Sequence, residues 1–170
     1  MKQIILLLAL LQLNYITMAQ RKVKSASYNI LLKTMLKHSV PEISVDSMAA
    51  LKTMPILLDA REENEYKVSH IANAMYVGYN KFDISSIATL NKNAAIIVYC
   101  SVGYRSEKIT EKLIAKGFTN VSNLYGGIFE WRNLNKGVVD TIGKPTNNVH
   151  AYNKTWGKWL HNSNKIYNTN

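Results

Sequence analysis

The sequence predicts an α/β fold with a mostly parallel central sheet and helices on both faces. Strand-like and helix-like segments alternate along the chain, as in a sheet built from crossover units. The strongest strand, Ala94 to Cys100, is continuously apolar and β-branched, the pattern of a strand covered on both faces. A length of 170 residues suits one domain with a proper core rather than two.

The elements follow in order. Residues 27–38 read as an amphipathic helix with Leu31, Leu32, Met35 and Leu36 inward and Pro41 as a stop. Ile43 to Val45 is a short strand, and Asp46 can cap a helix running to about Lys52. Pro55 to Asp59 is an apolar run of buried-strand length, followed by a short acidic-start helix over 62–67. Ala74 to Val77 is a strand candidate and Ile84 to Leu90 a helix. Ser106 to Lys116 is the clearest helix, with Ile109, Leu113 and Ile114 on one stripe and Gly117 as its stop. Val121 to Leu124 forms a last strand, and Gly126-Gly127 opens a helix carrying Phe129 and Trp131, the latter read as core. Tyr152, Trp156, Trp159 and Leu160 have helix-compatible spacing and are expected to pack on the domain; contact with a peptide or membrane is the alternative.

The formal charge of +10 invites a nucleic-acid reading. Its distribution argues against one. Residues 42–140 hold eleven cations and all eleven acids, so this segment is neutral. The excess lies on Lys2, on five cations in 21–41 and on four in 141–170. Solvated basic ends account for it, and no nucleic-acid partner is expected. His38, His150 and His161 are too dispersed to indicate a metal site.

Residues 1–19 read as a signal peptide: Lys2, an apolar run from Ile4 to Leu13, and a small-x-small site ending at Ala19. The run is about ten residues, short of the roughly 20 a membrane span needs, so an uncleaved anchor is the lesser alternative. The expected organisation is 1–19 signal peptide, 20–41 basic extension with a helix, 42–140 the neutral domain and 141–170 basic, Asn-rich extension. The mature protein is expected to be exported, periplasmic or secreted, without stable membrane insertion.

Cys100 has no partner cysteine in its own chain, although an exported protein meets an oxidising compartment. It is buried and inert, paired to another molecule, or a working thiol. Its surroundings favour the last. Cys100-Ser101-Val102-Gly103-Tyr104-Arg105-Ser106 joins the best strand to the best helix, beyond the carboxyl end of the strand, where ligands bind in parallel α/β sheets. The free N–H groups of the helix start favour an anion. Gly103 can adopt angles closed to other residues and let the loop curl its N–H groups inward. Arg105 adds a planar cationic fork, Ser106 can cap the helix, and Tyr104 can shape the pocket mouth. The result is a nucleophile in an anion cradle, needing neither metal nor organic cofactor.

Cys100-x-x-Gly-x-Arg-Ser, then Gly117-Phe118-x-x-Val121, Leu124-x-Gly126-Gly127 and Trp131, resembles a single-domain rhodanese. Upstream, Leu57-Leu58-Asp59-Ala60-Arg61, Glu65-Tyr66 and His70-Ile71-x-x-Ala74 are similar to the first half of that family, with Ser69 where the family usually has Gly. The resemblance spans roughly 42–140 and implies sulfurtransferase chemistry. Cys100 would take the outer sulfur of a small anionic donor such as thiosulfate as a persulfide, then pass it to a thiol or cyanide-like acceptor. The N–H groups of residues 101–105 would cradle the persulfide and Arg105 would hold the donor. A persulfide carrier serving a partner protein is the main alternative. A redox role lacks the second cysteine of a self-contained oxidoreductase. A phosphatase of the related cell-cycle type uses Cys-x5-Arg, whereas four residues separate Cys100 from Arg105 here. Asp59 and Arg61 read as a supporting ion pair at the strand end, with Arg61 also a candidate substrate contact. His70 reads as a structural histidine tying a turn.

Overall fold

A computed structural model describes residues 23–167; the expected signal peptide and the start of the basic extension lie outside the described residues. Five parallel strands make the central sheet: β1 (Glu42–Ile43), β2 (Ile56–Asp59), β3 (Met75–Tyr76), β4 (Ile96–Tyr99) and β5 (Val121–Leu124), in spatial order β1-β5-β4-β2-β3. β4 lies at the centre, paired with β2 and β5, and all four of its residues are buried.

Alternate side chains of the strands enter two separate cores, as the period of two requires. Leu57, Ile97, Tyr99 and Leu124 face a core with helices α1 (Ala26–Met35), α2 (Val45–Ala49) and α5 (Gly127–Asn133). Leu58, Ile96, Val98 and Val121 face a second core with Ile109 and Leu113 of α4 (Tyr104–Ala115) and with Phe118 and Ile87. The sheet is thus covered on both faces, as its sequence predicts.

Several boundaries shift for identifiable reasons. α2 is capped by Ser44, whose Oγ accepts from the Ser47 N–H at 3.1 Å; Asp46 sits one turn in, where its charge complements the helix dipole. Ile84 to Leu90 is only a 3-10 turn over Ile84–Ile87, capped by Asp83. α4 begins at Tyr104 with Gly103 at the cap, so Ser106 is not the N-cap expected for it. α3 (Glu63–Val68) is closed by a capping box between Glu62 and Glu65. In the first extension, Tyr28 is fully buried beside Leu32, and its hydroxyl donates to the Gly126 carbonyl at 3.0 Å.

The C-terminal extension is more ordered than its composition implies. β6 (Val138–Val139) pairs with β7 (Pro145–Thr146), and β8 (Asn148–His150) pairs in parallel with β9 (Asn164–Ile166) across the short helix α6 (Lys154–Gly157). It is tied to α5 by polar contacts. Arg132 donates to Ser163 Oγ at 2.9 Å and to the Asn162 carbonyl at 2.8 Å, and Asn133 Nδ2 donates to the Trp159 carbonyl at 2.8 Å. Leu160 is fully buried, and the Trp159 ring stacks on Tyr28 at 5.4 Å. Trp156, Trp159 and Leu160 pack on the domain as expected, whereas Tyr152 is half exposed.

Candidate active site

Cys100 follows the last residue of β4, at the carboxyl edge of the sheet. Its Sγ accepts the Gly103 N–H at 3.1 Å, so the loop turns back on the sulfur. That turn places Gly103 at φ +117°, a region L side chains rarely adopt. The Gly103 carbonyl is fixed in turn: it accepts from Asn123 Nδ2 at 3.0 Å and Ser106 Oγ at 3.2 Å. Ser106 Oγ also contacts Asn123 Oδ1 at 2.7 Å, so Ser106 braces the loop from within the first turn of α4.

The other side of the loop rests on the start of α5. The Ile128 N–H donates to the Cys100 carbonyl at 2.9 Å and the Phe129 N–H to the Ser101 carbonyl at 3.1 Å. These are N–H groups that a helix start leaves without intrahelical partners. The approach is so close that a Cβ on Gly127 would stand 2.4 Å from the Cys100 carbonyl oxygen. Here a glycine is required by space as well as by its φ of +57°. The N-terminal extension adds a third support: the Lys37 and Ser39 N–H groups donate to the two Glu107 carboxylate oxygens at 3.1 and 3.2 Å.

Arg105 is engaged within the protein. Its two terminal nitrogens donate to the two carboxylate oxygens of Glu65 at 2.5 and 2.8 Å, and Nη2 also reaches Ser101 Oγ at 2.9 Å. Ser101 Oγ donates to Glu65 at 3.0 Å, closing a three-residue network. Burial alone would raise the Glu65 carboxyl, but the hydrogen bond and charge of Arg105 outweigh it and hold it below the ordinary carboxylate range. Glu65, legible in the sequence only as part of the family pattern, is the partner of the loop arginine.

Asp59 and Arg61 form the expected pair, at 2.7 Å, with both side chains fully buried. Arg61 also donates to the Ser69 carbonyl at 2.6 Å. Arg61 has no exposed surface and does not line the cavity beside Cys100. Ser69 stands in extended backbone at φ −173°, which any residue adopts, so the turn takes serine without strain. His70 stacks on Tyr66 with ring centroids 3.9 Å apart and exchanges backbone hydrogen bonds with Val139, in keeping with its structural reading.

A cavity of about 320 Å³ opens over the sulfur. Cys100, Ser101, Val102, Tyr104 and Arg105 line it, as the loop predicts. So do Glu62, Tyr79, Asn80, Tyr152 and Trp156. The last five were not foreseen as site residues. Tyr79 and Asn80 follow β3, and Tyr152 and Trp156 come from the far end of the chain, so only the fold brings them to Cys100.

Residues 44–134 match the family model of the rhodanese-like domain. The chain belongs to the rhodanese-like domain family. It is 31% identical over 77 residues to the thiosulfate sulfurtransferase GlpE of Coxiella burnetii, covering 45% of this chain and 71% of that protein. It is 35% identical over 81 residues to the tRNA uridine(34) hydroxylase of Photorhabdus laumondii, covering 45% of this chain and 23% of that much longer protein. Among solved structures, a Bacillus halodurans protein superposes with a TM-score of 0.54 at 27% identity, over 69% of this chain and 86% of that one. The rhodanese-like domain of an Anabaena protein gives 0.55 at 23% identity, over 60% and 80% of the two chains, and supports the fold. The rhodanese-like match ends at residue 134, so Tyr152 and Trp156 lie beyond it.

Proposed function

We propose that this rhodanese-like protein is an exported sulfurtransferase that moves sulfane sulfur through a persulfide on Cys100. One observation carries the reading: the only cysteine of the sequence directly follows the central strand, accepts a backbone N–H on its sulfur and lines a cavity. The similarity to a thiosulfate sulfurtransferase supports it. In the first step the Cys100 thiolate attacks the outer sulfur of a thiosulfate-type donor. The donor S–S bond breaks, sulfite leaves, and Cys100 carries the sulfur as an anionic persulfide. In the second step a nucleophilic acceptor, cyanide or a thiolate, attacks that outer sulfur and the Cys100 thiolate leaves. The Gly103 N–H already lies on Sγ, and the free N–H groups of the adjoining start of α4 would favour a persulfide anion there. Export rests on the signal-like sequence of residues 1–19.

Intact mass after thiosulfate treatment tests the proposal. The expected result is a gain of one sulfur atom, absent in Cys100→Ser. An unmodified wild type would overturn the mechanism. Subsequent incubation with cyanide separates an enzyme, which turns over to thiocyanate, from a carrier that keeps its sulfur for a partner protein.

A further inference from the structure

We propose that Tyr152 and Trp156, supplied by the C-terminal extension, are specificity-determining residues, and that the sulfur acceptor is an organic thiol with a flat apolar body. The inference rests on the sulfurtransferase reading and names its acceptor class. Three observations carry it. First, the cavity holds about 320 Å³, within the range of roughly 300–1,000 Å³ that accommodates organic ligands; a small inorganic ion would fill little of it. Second, four of its ten lining residues are aromatic: Tyr79, Tyr104, Tyr152 and Trp156. Flat rings offer an apolar face to another flat group. Third, the charge beside the sulfur is balanced within the protein. Arg105 is paired with Glu65, and Glu62 adds a carboxylate to the wall, so the rings rather than an unbalanced cation face the body of the acceptor.

The wall is built, not a tail at rest. The Tyr152 N–H donates to His150 Nδ1 at 3.1 Å, fixing the turn that leaves β8. Tyr152 itself sits at φ +63°, and its ring lies 5.2 Å from the Arg105 guanidinium. Asn153 caps α6 through the Trp156 N–H at 3.0 Å, and the Arg132 and Asn133 contacts hold the whole extension on α5. In the transfer step, the acceptor thiolate attacks the outer sulfur of the Cys100 persulfide. The acceptor persulfide forms, the Cys100–S bond breaks, and the Cys100 thiolate is restored. The ring wall positions the body of the acceptor during that attack.

The experiment uses the full chain loaded with thiosulfate and follows persulfide loss to benzyl mercaptan, 2-mercaptoethanol and cyanide. Wild type should prefer benzyl mercaptan over 2-mercaptoethanol by about ten-fold in kcat/KM, and Tyr152→Ala should erase that ratio. Tyr152→Phe keeps the ring and should restore it. Tyr152 is half exposed, so its truncation does not threaten the core. A wild type without the preference, or a Tyr152→Ala protein that retains it, would overturn the inference. Calorimetric titration of Cys100→Ser with benzyl mercaptan decides the wall separately from the chemistry. Binding that is lost in the Cys100→Ser, Tyr152→Ala double variant supports the wall even if no persulfide forms. Absence of binding sinks the wall even if sulfur transfer is real.

Discussion

Gly127→Ala tests whether the start of α5 holds the reactive loop in place. A Cβ at this position would stand 2.4 Å from the Cys100 carbonyl oxygen and 2.7 Å from the Ser101 carbonyl carbon and oxygen. Relaxed contacts between heavy atoms begin near 3.5 Å, so the loop must retreat by about 1 Å. That retreat weakens the hydrogen bonds from Ile128 and Phe129, each contributing about 1 kcal/mol net. The positive φ adds roughly 1 kcal/mol of backbone strain for a residue with a side chain. Loss of glycine's freedom in the unfolded chain offsets about 0.4–1 kcal/mol of this. The net destabilisation is about 2–3 kcal/mol, or a fall in Tm of roughly 5–10 °C. Catalysis should suffer more, since a displacement of about 1 Å at a reacting group can cost on the order of 100-fold in rate. The assay is the rate of Cys100 persulfide formation by intact mass, beside a thermal melt. Leu113→Ala provides the control: it empties a buried site in the core on the opposite face, at about 2–5 kcal/mol, without touching the loop. Persulfide formation by Gly127→Ala at the wild-type rate, or an equal slowing in folded Leu113→Ala, would refute the reasoning.

Two further perturbations address the polar braces. Glu65→Gln leaves the largely buried Arg105 without its counter-charge and should cost about 3 kcal/mol. It should also change the acid limb of stability. The Glu65 carboxyl is depressed in the folded protein, so its contribution is full above the unfolded value near 4.3 and is lost as pH falls through the lower folded value. Wild type should therefore lose stability more steeply than Glu65→Gln below about pH 4; parallel curves would contradict this. Ser106→Ala removes the partner of the buried Asn123 Oδ1 and should cost about 1–2 kcal/mol by chemical denaturation. An unchanged midpoint would show that Ser106 does not brace the loop.

The reactive loop was legible because its residues are contiguous. Cysteine, glycine and arginine within six positions, between an all-apolar strand and an amphipathic helix, state both the fold and the chemistry. The two-faced sheet was legible for a similar reason: β4 is apolar at every position, so neither face can be solvated. Ser106 was misread because a serine near a helix start looks like a cap, whereas Gly103, with no side chain to offer, is the cap residue. The helix assigned to 84–90 was too long, since Ser85 and Ser86 bond back to Asp83 and favour a single tight turn. The strands of the C-terminal extension escaped notice because each has only two or three residues and no alternating pattern. Its asparagines look like the composition of a loose tail, yet Asn153 and Asn162 are connectors that satisfy backbone groups. Tyr152 and Trp156 had helix-like spacing, which revealed a packing face but not the cavity it borders.

Arg105 shows how one residue can be read correctly for its charge and still differ in role. A guanidinium carries five N–H donors on more than one edge, and a planar bidentate pair engages one of those edges. Here the edge formed by the two terminal nitrogens is engaged by Glu65, and the cation also faces the Tyr152 ring. For Arg105 to clamp a donor oxoanion with that same edge it would have to surrender a buried carboxylate, leaving Glu65 charged with only 1% of its side chain exposed. That exchange is costly, because an unpaired buried charge is worth several kcal/mol. Arg105 therefore acts first as the tether that fixes the loop to α3, with Ser101 as the middle link. In the proposed persulfide, the attraction for the outer sulfur then falls to the backbone: the Gly103 N–H already on Sγ, and the N–H groups that the start of α4 leaves free. A sulfur atom carries its charge without directional oxygens, so a ring of backbone donors suits it. With the Glu65–Arg105 pair closed, the proposed chemistry thus depends on the curl of the loop at Gly103 more than on the arginine that follows it.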